Sequence, residues 1–119
     1  MSKDLKIGLL NQIYGRLLTE NQRAVAAYYY DDDLSLGEIA EQFGITRQGV
    51  RDYIKRAESR LLELEEELHL LARLEEQDRA ARSIIALCDK LAGEMGASAD
   101  LKEIARLAGN ICIWDEKPV

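Results

Sequence analysis

In the stretch FGITRQGVRDYIKRAESR, residues 43 to 60, Arg47, Arg51 and Lys55 recur every four residues, with Gln48 and Arg56 beside them. On a helix that spacing gathers guanidinium, ammonium and amide groups on one face. Such a face can hold phosphate oxygens, and a guanidinium or a side-chain amide can pair bidentately with a purine edge. Residues 46 to 60 hold five basic residues (Arg47, Arg51, Lys55, Arg56, Arg60) against two acids (Asp52, Glu58), a local +3 in a chain of formal net charge −6. The rest of the chain is therefore acidic and repels a polyanion unless it lies away from this face. The plain alternative is a solvated helix face that Asp52 and Glu58 partly neutralise.

Other chemistry is sparse. Cys88 and Cys112 lack CxxC spacing, and His69 is the single histidine, so a four-ligand zinc site is not expected and two free, buried thiols are. His69 lies in EEELHLLARLEEQ and reads as a surface or flank residue rather than the base of a hydrolytic triad. Neither glycine-rich phosphate loop, GxxxxGK[ST] or GxGxxG, occurs. Asp31, Asp32 and Asp33 are consecutive, whereas metal loops space their oxygens at alternate positions, so a solvated turn is expected there. Tyr28, Tyr29 and Tyr30 could stack on bases, but tyrosines at a helix end are more often half core and half surface. No catalytic residue, cofactor or metal is expected.

The elements that must position the basic residues are helical. With 32% charged residues, one proline and one phenylalanine, the composition favours an all-α fold, and 119 residues suffice for one small domain plus an appendage. Leu5, Leu9, Leu10, Ile13, Tyr14, Leu17 and Leu18 mark an amphipathic helix over 5–18. Thr19 and Gln22 form a capping box for a second helix, which runs through NQRAVAAYYY and stops at the aspartates. Ser35 and Glu38 repeat the box for a third, ending at Gly44, and Thr46 caps the fourth. Helix, glycine turn, helix is the grammar of a helix-turn-helix. Ile39, Phe43, Ile45, Val50 and Tyr53 fall where its helices cross, with small Ala40 at the closest approach.

Past the motif, Val50, Ile54, Ala57, Leu61, Leu64, Leu68 and Leu71 form a heptad seam. It fails at Glu75 and Asp78, and a stripe slipped by three residues follows at Leu74, Ala81, Ile84, Cys88, Leu91 and Met95. The slip predicts a long helix bent or broken near EEQDRAAR. A turn over 93–100 and a short helix in LKEIARLAGNICIW complete the chain before the tail DEKPV. The expected domains are a helix-turn-helix domain at 1–62 and a helical extension at 63–119. The seam needs cover from the chain itself or from a second copy, so a homodimer joined by a coiled coil is one expectation. No eighteen apolar residues run together, and MSKDLKIGLLNQIY lacks the build of a signal peptide, which points to a cytoplasmic protein without a membrane partner.

The stretch LTENQRAVAAYYYDDDLSLGEIAEQFGITRQGVRDYIKRAESRLLELEEEL, and within it SLGEIAEQFGITRQGV, resembles the YlxM family of small bacterial helix-turn-helix proteins. Residues 19 to 62 more loosely resemble the promoter-reading C-terminal domain of sigma factors, and the likeness as a whole covers roughly residues 5 to 72. The sigma-like pattern implies groove-facing roles for Thr46, Arg47, Gln48, Arg51 and Lys55, with Gly49 standing where an alanine or a bulkier residue is common. The YlxM resemblance implies a regulatory or accessory role in the signal recognition particle pathway. Taken with the basic face of the motif, the expected partners are DNA or the particle's RNA, reached through Thr46, Arg47, Gln48, Arg51, Lys55 and Arg56, or a protein of that machinery for which the motif is a scaffold.

Overall fold

The computed structural model describes residues 3–112. Among these stand six α-helices and no strand: α1 (Leu5–Tyr14), α2 (Glu20–Ala26), α3 (Leu36–Phe43), α4 (Arg47–Leu68), α5 (Leu70–Met95) and α6 (Ala99–Ile111). The expected all-α helix-turn-helix fold is the one found. Residues 113 and 114 of the expected last helix, and the tail DEKPV, lie outside the described residues. The chain divides into two units, Met1–Leu71 and Ala72–Val119.

Local hydrogen bonds set the helix starts in the first unit. Thr19 Oγ1 accepts the Gln22 amide at 3.3 Å while Gln22 Oε1 accepts the Thr19 amide, and Ser35 and Glu38 repeat the exchange at 3.1 and 3.2 Å. Each box satisfies amide groups that a helix leaves orphaned at its first turn. Gly44 ends α3 at φ 65°, ψ 34°, where a side chain would strain the backbone. These boundaries fall where expected, but the ends of the first two helices differ. α1 tightens after Tyr14 into a 3-10 turn, Gly15–Leu17, and this leaves Leu17 exposed while Leu18 is buried. α2 widens after Ala26 into a π turn, Ala27–Asp31, and Tyr29 on that turn is buried.

Val25, Tyr29, Ile39, Ala40, Val50 and Ile54 form the core, with Phe43 and Tyr53 packed on it. Full burial of each Val or Ile stabilises the unit by about 1.5–3 kcal/mol. Ile45, expected in this set, is 37% exposed: it lies in the turn between α3 and α4, with its side chain against Gly49. α4 packs on α1, α2 and α3. Its seam residues Val50, Ile54, Ala57, Leu61 and Leu64 are buried, so that stretch finds its cover within the chain.

The seam does not run on to Leu68, which is 47% exposed. The break in the long helix falls at His69, in the left-handed region at φ 56°, and EEQDRAAR is helical throughout. A side chain from another helix caps the new start. Tyr14 Oη accepts the Leu70 amide at 3.1 Å and donates to Glu65 Oε1 at 2.7 Å, and Glu65 Oε1 also accepts the Leu71 amide at 2.9 Å. Burial and the Glu65 carboxylate push the Tyr14 phenol up from its ordinary value.

In the second unit, Leu74, Asp78, Ala81, Ile85, Cys88 and Ala92 of α5 form a buried or half-buried line at alternating steps of four and three, with half-buried Glu75 and Arg82 beside it. Asp78, where the sequence stripe fails, lies on this line, and Arg82 Nε donates to its Oδ2 at 2.8 Å. Ile84, Leu91 and Met95 do not belong to it. They are exposed, and Ile85 and Ala92 take the places expected of Ile84 and Leu91. Both cysteines are free, Cys88 buried and Cys112 half-buried. Among the described residues no helix is long and apolar enough to cross a membrane.

Candidate nucleic-acid interface

The first turn of α4 sets the interface. Thr46 is its N-cap: Oγ1 accepts the Gly49 amide at 3.0 Å, so this hydroxyl holds the helix start in place. A Cβ on Gly49 would stand 3.3 Å from Thr46 Oγ1 and 3.5 Å from Ile45 Cδ1. The glycine, which costs about 1 kcal/mol of helix propensity relative to alanine, thus gives the cap and the turn room.

From this start Val50, Ile54 and Ala57 point into the core, and the opposite face goes to solvent. Thr46, Arg47, Gln48, Arg51, Lys55 and Arg56 are all exposed. Arg60 pairs with Glu63 at 3.3 Å, but none of Arg47, Arg51, Lys55 or Arg56 has an ion pair among the described residues. Gln48 is not free: its Nε2 donates to Asp52 Oδ1 at 3.1 Å, one turn on.

Arg47 is placed by a residue that the sequence reading passed over. Its guanidinium lies against Gly37 in the first turn of α3, where a Cβ would be 3.1 Å from Nη2 and 3.2 Å from Nε. Arg47 therefore leans back across α3 while Arg51, Lys55 and Arg56 follow the length of α4. Arg47 and Arg51 line a cleft of about 530 Å³ with Lys3, Ser35, Gly37 and Glu38. The signal in the sequence was the glycine itself, inside a helix turn where alanine is favoured by about 1 kcal/mol.

Lys3 is the second residue missed. Its Nζ donates to the Tyr29 carbonyl at 2.7 Å and the Leu34 carbonyl at 3.1 Å, pairs with Asp33 at 2.7 Å, and sits 4.2 Å from the centre of the Tyr29 ring. Of the acidic triplet, Asp31 ends the π turn and Asp32 and Asp33 bend the chain away from it, with Asp33 at φ 54° and tied to Lys3, and no group of described residues could hold a metal ion. The tyrosines face inward. Tyr28 meets Phe43 edge to face at 5.7 Å, Tyr29 is buried, and Tyr30 Oη donates to Glu58 Oε1 at 2.5 Å. Burial pushes the Tyr29 phenol up, Glu58 adds to this and Arg51 pulls it back. Burial, then the bond to Glu58, raises Tyr30 far more. Tyr29 is thus a core residue, and Tyr28 and Tyr30 pack half-buried against the core, as expected of tyrosines at a helix end.

Residues 1–107 match the UPF0122 family, described as "Putative helix-turn-helix protein, YlxM / p13 like". A UPF0122 protein of Desulforamulus reducens is 49% identical over 84 residues, which are 71% of this chain and 72% of the relative. One from Halalkalibacterium halodurans is 46% identical over 92 residues, 77% of this chain and 84% of the relative. One from Bacillus cereus is 39% identical over 104 residues, 87% and 92% of the two chains.

Proposed function

The chain belongs to the UPF0122 family of YlxM/p13-like helix-turn-helix proteins, and we propose that it is a non-enzymatic, nucleic-acid-binding regulatory protein of the cytoplasm. In this reading α4 enters a major groove with its exposed face. Arg51, Lys55 and Arg56 reach bases and phosphates along the groove, and Arg47, leaning across α3, meets the phosphate backbone beside it. The observation that carries the reading is the row of exposed cations Arg47, Arg51 and Lys55, about one turn apart along α4 with Arg56 beside Lys55, none of them in an ion pair among the described residues, in a chain with net charge −6. A surface whose only task is solubility gains nothing from concentrating its unpaired charge against the sign of the whole.

The pathway in this proposal is that of the signal recognition particle, as the resemblance to YlxM implies, with DNA or the particle's RNA as the ligand. A second reading rests on the bond between Gln48 and Asp52, which removes one base-reading amide, and on the acidic remainder of the chain. There the motif is a scaffold and the ligand is a protein of the same machinery.

Binding titrations of the wild type and of Arg47→Ala/Arg51→Ala, against genomic DNA fragments and against signal recognition particle RNA at two salt concentrations, separate the two. The nucleic-acid reading predicts affinity that falls with salt and with the double substitution. Wild-type protein that binds neither polymer at low salt supports the scaffold.

A further inference from the structure

α5 and α6 are joined by three residues, Gly96, Ala97 and Ser98, a connection of the length that pairs two helices as an antiparallel hairpin. Ile85, Cys88 and Ala92 on α5, and Leu101, Ala105 and Ala108 on α6, are its buried or half-buried positions.

Each helix carries a second apolar stripe one residue before the first. On α5 it is Ile84, Leu87 and Leu91, exposed by 38%, 58% and 38%; on α6 it is Ile104, Leu107 and Ile111, exposed by 45%, 50% and 49%. Both helices are right-handed and run in opposite directions, so a step of one residue toward each N-terminus turns both stripes to the same side of the hairpin. The six side chains therefore share one face. A helix with two adjacent apolar stripes needs two neighbours, as in a four-helix bundle, and one copy of this hairpin provides one.

We propose that this face is a dimer interface, which a second copy of the chain covers by laying the same six residues against it to complete a four-helix bundle. The charges beside the stripes suit a like partner. Beside the six residues Lys90 offsets Glu94 on α5, and Arg106 pairs with Glu103 on α6, so these four charges add nothing net to the face. The area is adequate as well. Six half-exposed Leu and Ile residues bury on the order of 500 Å² per copy, and with their flanks a pair reaches roughly the 1,200 Å² at which stable interfaces begin. Nothing here depends on nucleic acid, so the interface stands or falls apart from the reading of α4.

Sedimentation equilibrium of the full chain without nucleic acid tests it. The expected result is a species of twice 13.5 kDa at micromolar concentration, converted to 13.5 kDa by Leu87→Glu/Leu107→Glu with the helical circular dichroism retained. A wild type that stays monomeric at about 100 µM, or a glutamate variant that stays dimeric, overturns the proposal. If the glutamate pair loses helicity, Leu87→Ser/Leu107→Ser takes its place. The dimer should then dissociate at least tenfold more readily, and an unchanged dissociation constant rejects the interface.

Discussion

The Arg47 guanidinium occupies the space that a side chain on Gly37 would take, its Nη2 only 3.1 Å from the position of the missing Cβ. Two helices of the motif thus agree on where one cation stands. Gly37→Ala should displace Arg47 and weaken nucleic-acid binding by up to about tenfold, roughly 1.4 kcal/mol. Stability should hold or rise, since alanine is the better helix former. Thermal melting beside a binding isotherm checks both; unchanged affinity would mean that the lean of Arg47 has no role in the contact.

Lys55 and Arg56 lie further along α4, exposed and without ion pairs among the described residues. Where one of them meets a phosphate, its replacement by alanine should lower the slope of log K against log salt by about 1. Slopes measured for the wild type and the two single variants would resolve which contact is electrostatic.

Tyr14 links α1, α4 and α5 by donating to Glu65 and accepting from the Leu70 amide. Tyr14→Phe leaves that amide without its partner and should cost about 1–3 kcal/mol in urea unfolding. His69→Gly at the adjacent break should act in the opposite sense. His69 has φ 56°, and glycine removes a left-handed penalty of about 1–2 kcal/mol, less its own greater freedom in the unfolded chain.

Three phenols, Tyr14, Tyr29 and Tyr30, titrate above their ordinary value in the folded chain, chiefly because they are buried. The folded state therefore keeps protons that the unfolded state releases near about pH 10. Their contribution is fully present below that pH and is lost as pH rises from there toward the folded values. Denaturant midpoints should show no loss from these groups between pH 7 and 9 and a fall above about pH 10, smaller in Tyr30→Phe.

Much of this arrangement was legible in the sequence where the deciding hydrogen bond is local. Thr19 with Gln22, Ser35 with Glu38, Gly44 and Thr46 each act within four residues, and all four mark boundaries in the structure. The break at His69 was not legible, because its caps are Glu65 and a tyrosine hydroxyl 56 residues away from Leu70. An unbroken heptad through Leu68 concealed it. On α5 the choice between Ile84 and Ile85 could not be made from periodicity, since both belong to apolar stripes and only one is on the buried line. The lean of Arg47 depends on a glycine in another helix, and periodicity along α4 carries no trace of it.

The central claim, that the exposed face of α4 contacts nucleic acid, is tested most directly by mapping amide chemical shifts of the full chain as duplex DNA, and separately signal recognition particle RNA, is added. The account predicts that the largest changes with at least one of these cluster at Gly37, Arg47, Gln48, Arg51, Lys55 and Arg56. Shifts confined to α5 and α6, or no shifts with either polymer at low salt, would contradict it.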